Sequence, residues 1–177
     1  NRSRELYRRG LEKIELGKYD GALLDLRQAC DLEPGEPLLL AAMARAEELA
    51  GVEKARNLFR EAEKVGEADP AEALRLVEDA IRLDPARAVY LREAARLATN
   101  LGGSLQLAEE RLAAAIHLAP SDPSLRLLFS QLVERGGRVQ EALWACEAAL
   151  QLFPGDKELL KLQARLQRKC GAAPAAS

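Results

Sequence analysis

Two arginines and an asparagine are the strongest candidates for recognition chemistry in this 177-residue chain. Arg92, Arg96 and Asn100 are spaced four residues apart, which places all three on one stripe of a helix. A guanidinium group donates two parallel hydrogen bonds to a carboxylate, so the stripe fits a ligand with acidic residues. The alternative is a solvated charged face on which Glu93 neutralises the arginines.

Residues for catalysis or metal binding are not grouped in the sequence. His117 is the only histidine, and we interpret it as a surface residue near the end of a helix. The three cysteines, Cys30, Cys146 and Cys170, form no Cys-x-x-Cys pair, so we expect small buried side chains in a reducing compartment. We therefore predict no enzyme activity, no metal site and no cofactor.

The composition favours a helical, non-nucleic-acid-binding protein. Aromatic residues make up 4% and hydrophobic residues 48%, so the core is mostly leucine and alanine, which suits packing between helices. The net charge of −2 gives no basic bias towards nucleic acid. No apolar run reaches the length of a membrane span. The chain begins with asparagine, and its alanine, leucine and arginine content leads us to expect a cytoplasmic fragment of a larger bacterial protein.

A frame of small and bulky residues that ends in proline occurs four times. Its members are Ala22, Leu26, Ala29, Leu32 and Pro34; Ala73, Val77, Ala80, Leu83 and Pro85; Ala108, Leu112, Ala115, Leu118 and Pro120; and Ala142, Cys146, Ala149, Leu152 and Pro154. Steps of four, three and three residues predict one helical face where alanines allow close packing. Because proline cannot continue a helix, we expect helices to end near residues 33, 84, 119 and 153.

The spacing of the closing prolines defines a repeat. Pro85, Pro120 and Pro154 are separated by 35 and 34 residues, whereas Pro34 precedes Pro85 by 51, one period plus 17 residues. A period near 34 with this frame is typical of tetratricopeptide repeats. The chain resembles the tetratricopeptide repeat family over about 135 of its 177 residues.

The resemblance implies an all-α, right-handed superhelical solenoid of antiparallel helix pairs, with about ten helices. We expect a first repeat at residues 1–36, an extra helix and phase break at 37–53, three repeats at 54–155, a capping helix at 156–170 and a disordered tail at 171–177.

Helix limits follow from caps and breakers. We predict helices at residues 3–16 with Ser3 as N-cap, 19–33, 38–50 ended by Gly51, 52–65, 70–84, 86–101, 105–118, 123–135, 139–152 and 156–169. Asp122 and Asp156 are expected N-caps. The apolar residues 38–43 either bury against neighbouring helices or form an exposed docking patch.

The family resemblance also implies a concave wall built from the first helix of each repeat. Counting along those helices places Gln131 and Arg135 beside the Arg92 stripe and turns Leu58 inwards from the second copy. The alternative solvated face then has Glu134 as a second neutralising acid. The resemblance predicts a non-catalytic protein–protein interaction scaffold that binds an acidic peptide or partner domain on this wall.

Other functions of the same fold stay open. Chaperone-binding members of the family hold a C-terminal carboxylate with Lys and Asn residues, but Tyr7 and Leu11 occupy the first two of those places here. We therefore do not expect that co-chaperone function. The alternatives are a structural or self-association module, and a regulatory region of a chaperone, secretion or pilus/motility protein.

Overall fold

The computed structural model describes residues 1–172 of the chain. Within these residues the fold consists of nine α-helices and a short 3-10 helix at Gly66–Ala68, and contains no strand. The helices are α1 (Arg2–Glu15), α2 (Tyr19–Leu32), α3 (Pro37–Val65), α4 (Pro70–Leu83), α5 (Ala88–Asn100), α6 (Leu105–Leu118), α7 (Pro123–Arg135), α8 (Val139–Leu152) and α9 (Lys157–Ala172). The predicted all-α class is confirmed, and the helix number is close to the expected ten.

Two compact units divide the chain, Asn1–Asn57 and the residues from Leu58 onward. The first contains α1, α2 and the beginning of α3, and the second contains the end of α3 and the helices that follow. None of the helices in residues 1–172 is long and apolar enough to cross a bilayer.

The repeated frame forms the packing face of α2, α4, α6 and α8. In all four copies the two alanine positions and the bulky position between them are at most 3% exposed. The leucine at the fourth position is 38–58% exposed, so its expected place on the buried face is wrong. It follows the first alanine by ten residues, which is about 80° short of three full turns and puts the leucine on the flank of the helix.

The closing prolines end these four helices as predicted. The residues before them, Glu33, Asp84, Ala119 and Phe153, have φ between −140° and −130° and ψ between 64° and 80°, outside the helical region. Proline disfavours helical geometry in the preceding residue, so each helix stops one residue earlier.

Two predicted N-caps are confirmed and one is wrong. Asp122 Oδ1 accepts a hydrogen bond of 2.9 Å from the backbone N–H two residues later, and Asp156 Oδ1 accepts one of 2.9 Å from Leu159. At α1 the cap is Asn1, whose Oδ1 accepts from the N–H of Ser3 at 3.1 Å. Ser3 itself is buried inside the helix.

Helix α3 contradicts the predicted helix end at Gly51. It runs without interruption from Pro37 to Val65, so the separate helices expected at 38–50 and 52–65 are one element. A glycine inside a helix costs only about 1 kcal/mol, and the residues around Gly51 are good helix formers. The helix ends before Gly66, which has a φ of +48° that side-chain-bearing residues rarely adopt.

The apolar residues at 38–43 are divided between the core and the surface. Leu39 is buried against Leu6, and Met43 packs against the core between α1 and α2. Leu38 and Leu40 are 63% and 45% exposed. Each of the two alternatives drawn from the sequence therefore describes part of this segment.

Helix α9 closes the hydrophobic core of the second unit. Leu159, Leu162 and Leu166 pack against Cys146 and its neighbours on α7 and α8. The helix extends to Ala172, so the predicted tail is wrong for residues 171 and 172. Residues 173–177 of that tail lie outside the described part of the chain.

Candidate functional site

A groove of about 200 Å³ lies between α5, α6 and α7. It is lined by Arg92, Ala95, Arg96, Thr99, Asn100, Leu112, Leu128, Gln131, Leu132 and Arg135. Five of the six residues predicted from the sequence therefore lie around one groove. Each comes from α5 or α7, the first helices of neighbouring repeats.

The floor of the groove is apolar. Ala95, Leu112 and Leu132 are buried, and Leu128 is half-buried. Leu112 is the bulky member of the third Ala-bulky-Ala frame, so the residue that packs the repeat also forms the base of the groove. Such a floor fits an aliphatic side chain of a ligand.

The charges along the rim are all positive. Arg96 binds Glu93 through two hydrogen bonds of 2.6 Å and 3.0 Å, and these raise the pKa of Arg96 above its ordinary value. Arg92 and Arg135 make no hydrogen bond or ion pair with any residue in the described part of the chain. Two of the three guanidinium groups are therefore available to a carboxylate.

Polar side chains complete the rim. The Thr99 hydroxyl donates to the Ala95 carbonyl at 2.7 Å and is held within its own helix. Asn100 and Gln131 are exposed, and within residues 1–172 neither side chain has a hydrogen-bond partner. Their amides are able to donate to and accept from an extended peptide backbone.

Comparison with known proteins is informative for the fold. No protein-family model and no curated protein matches the sequence. Among solved structures, the tetratricopeptide repeat domain of Arabidopsis OM64 has a TM-score of 0.60 at 22% identity, over 67% of this chain and 98% of that one. The first such domain of Spaghetti (RPAP3), bound to the HSP90 peptide SRMEEVD, has a TM-score of 0.60 at 19% identity, over 68% and 96%. TTC0263, a tetratricopeptide repeat protein of Thermus thermophilus, has a TM-score of 0.50 at 26% identity, over 95% and 98%.

The chain has the tetratricopeptide repeat fold. The resemblance predicted from the period and the closing prolines is confirmed at this level. In the numbering of the repeat, the groove lies between the first helices of the third and fourth repeats.

The two acids expected to neutralise the rim behave differently. Glu93 does pair with Arg96. Glu134 instead accepts hydrogen bonds from Arg165 at 2.5 Å and from Lys169 at 2.6 Å, both on α9. The charge of Glu134 is therefore neutralised from α9 rather than by the groove arginines.

The sequence prediction did not place the basic residues of α9 on the wall that contains the groove. Arg165 and Lys169 follow Gln131 and Arg135 by 34 residues each, one repeat period. Continuing the tetratricopeptide count past Pro154 would have placed both on the same wall. The sequence predicts α9 as a capping helix, whereas in the structure Arg165 and Lys169 of α9 form ion pairs with Glu134 of α7.

Leu58 is the predicted site residue that the structure does not bring to the groove. It is half-buried on α3 and is absent from the residues that line the groove. The second copy follows the irregular 51-residue interval between Pro34 and Pro85, so the repeat period constrains the register of its first helix less than in the later copies.

Proposed function

We propose that this chain is a non-catalytic interaction scaffold whose groove between α5, α6 and α7 binds an acidic peptide segment of a partner protein. The observation that carries the proposal is the groove itself, which has three arginines on its rim and no carboxylate among its lining residues. Two of those arginines, Arg92 and Arg135, have no partner in residues 1–172. The tetratricopeptide domain of Spaghetti, which has the same fold, binds a peptide with three acidic residues, and this supports the proposal.

The chemistry follows from the side chains. Arg92 and Arg135 bind ligand carboxylates, and Arg96 exchanges Glu93 for a ligand acid when one is present. The leucine floor takes an aliphatic side chain between those acids. Asn100 and Gln131 hold the ligand backbone. The ligand is thus a short segment in which acidic residues flank an aliphatic one.

The proposed ligand is an internal acidic segment rather than a chaperone tail. Tyr7 and Leu11 stand where the carboxylate-binding members of the family place Lys and Asn. The cytoplasmic location and the origin in a larger bacterial protein stay predictions.

A selection from a random peptide library tests the proposal without assuming a sequence. We expect peptides bound by the wild-type protein to be enriched in Asp and Glu next to Leu, Ile or Val, and the Arg92→Glu, Arg96→Glu variant to lose this enrichment. The matched control is Arg27→Glu, Arg45→Glu, which changes the same charge at two exposed arginines outside the groove. Equal enrichment of acids by the wild type and the groove variant would refute the proposed site.

Self-association is a second candidate function, favoured by the exposure of Leu38 and Leu40. Light scattering over a range of concentrations tests it. A mass that rises with concentration in the wild type and not in Leu38→Glu, Leu40→Glu would support it, and a constant monomer mass would exclude it.

A further inference from the structure

Glu134 is a nearly buried carboxylate held between α7 and α9. Its side chain is 9% exposed, while those of Arg165 and Lys169 are 50% and 52% exposed. Burial raises the pKa of Glu134, but the hydrogen bonds from Lys169 and Arg165 lower it by more, so the pKa lies below its ordinary value. Glu134 is therefore charged at neutral pH, and its charge is compensated by α9.

The position of Glu134 along α7 connects it to the groove. It is the only acidic residue of α7, three residues after Gln131 and directly before Arg135, both of which line the groove. Residues three apart on a helix lie on neighbouring parts of its surface. If the partners from α9 were lost, an uncompensated negative charge would lie at the rim that receives the acidic ligand.

We infer that Arg165 and Lys169 are positioning residues that set the preference of the groove for acidic peptides, by keeping the charge of Glu134 paired and directed away from the groove. The inference rests on the proposed function. It assigns to α9 a role in ligand selection in addition to closing the hydrophobic core. Arg165 and Lys169 act through Glu134 and need not touch the ligand.

The electrostatic consequence is measurable. A unit charge within a Debye length of a bound carboxylate changes its affinity by about three-fold in a water-exposed site. The variant Arg165→Gln, Lys169→Gln should weaken the binding of an acidic ligand by more than its charge change alone, because the Glu134 carboxylate is then uncompensated and no longer held towards α9, beside the groove residue Gln131. Removing Glu134 in that background should restore most of the loss.

A mutant cycle tests this with two labelled peptides, acidic LEELDEL and neutral LQQLNQL with an amidated C-terminus. The readout is the Kd of the neutral peptide divided by the Kd of the acidic peptide, both measured by fluorescence anisotropy on the full chain. This ratio is the preference for the acidic peptide. We expect the ratio to fall about ten-fold in Arg165→Gln, Lys169→Gln. Glu134→Gln should change the ratio less than two-fold in the wild-type background and restore it to within about three-fold of wild type in the double variant.

The matched control removes two other charges from the same helix. Lys161 pairs with Glu158 and Arg168 donates to the Ala164 carbonyl, so neither contacts Glu134. Lys161→Gln, Arg168→Gln should lower the ratio only by the long-range effect, about two- to three-fold. Lys169→Arg, which keeps the charge, should keep the wild-type ratio.

Each outcome decides the inference. If Glu134→Gln has the same effect in both backgrounds, or if Arg165→Gln, Lys169→Gln keeps the wild-type ratio, the positioning role is wrong. The proposal that the groove binds acidic peptides is then unaffected. If the folded wild type binds LQQLNQL as tightly as LEELDEL, the proposed function fails, and the inference fails with it. Circular dichroism melts of each variant separate loss of binding from loss of folding.

Discussion

Gly10 of α1 faces the side chain of Leu26 on α2, and the substitution Gly10→Ala should destabilise the first unit. A Cβ at residue 10 would lie 2.7 Å from Cγ and 2.9 Å from Cδ2 of Leu26. Leu26 is fully buried between Ala22 and Ala29 of its own frame, so its branch point has no free space to move into. One methyl group too many at this contact forces a shift of the helices or of the leucine.

The magnitude follows from two opposing terms. Overpacking by one methyl group costs about 1–3 kcal/mol, and the short distances place this contact at the upper end. Alanine in place of glycine in a helix returns about 1 kcal/mol. We therefore expect a net loss of about 2 kcal/mol in the free energy of unfolding.

Urea unfolding by circular dichroism measures this loss, and hydrogen exchange in α1 and α2 locates it. The control is Gly21→Ala, where the added Cβ meets no atom nearer than Lys13 Cδ at 3.4 Å, and we expect no loss or a gain of up to about 1 kcal/mol. The fourth repeat has Ser130 and Cys146 at the places of Gly10 and Leu26, so Gly10→Ala, Leu26→Cys should relieve the clash. A Gly10→Ala variant as stable as the Gly21→Ala variant would refute the reasoning.

Three further predictions concern charge and cysteine chemistry. Asp25→Asn should lower the free energy of unfolding by about 2 kcal/mol, as measured by urea unfolding, because the buried carboxylate pairs with Arg9 at 3.1 Å and Lys13 at 2.7 Å. Arg9 is half exposed, so solvent screening reduces its contribution. The stability difference between wild type and Glu134→Gln should be full at pH 7 and should vanish as the pH falls from about 5 through the lowered pKa of Glu134, as followed by melts across that range. Cys146 should resist thiol reagents in the folded protein, because burial raises the pKa of its thiol, and mass spectrometry of labelled peptides locates the reaction.

Each of these three predictions has a result that would contradict it. Asp25→Asn would contradict its prediction if it cost no more than the control Asp31→Asn, at an exposed acid. A stability difference that grew on acidification would mean that the pairs of Glu134 do not stabilise the fold. Labelling of Cys146 as fast as that of half-buried Cys30 would show that α8 and α9 open readily.

The sequence predicts helix ends better than helix continuity. Proline acts on the backbone of its neighbour whatever surrounds it, so the ends at Pro34 and Pro154 could be read directly. Glycine permits a turn without requiring one, and the predicted end at Gly51 is wrong because α3 continues as a helix through it. Whether a helix ends at such a glycine depends on contacts with residues that are distant in sequence.

The groove was predictable where the repeat count was regular. Arg92 and Arg135 lie in repeats with a clear frame, so their numbering placed them on one wall. Leu58 belongs to the irregular second copy and does not reach that groove. Glu134 pairs with Arg165 and Lys169, which follow it by 31 and 35 residues, and the sequence pattern alone does not show such contacts between helices.

The most direct test of the acidic-peptide site is the affinity of LEELDEL for three proteins, measured by fluorescence anisotropy at 0.15 M salt, where the Debye length is about 8 Å. We predict that the wild type and the control Arg27→Glu, Arg45→Glu bind the peptide with similar Kd, and that Arg92→Glu, Arg96→Glu binds at least about thirty-fold more weakly, in line with the loss of two charge-assisted contacts. Equal binding by the groove variant and the wild type would contradict the account and place the ligand elsewhere on the chain.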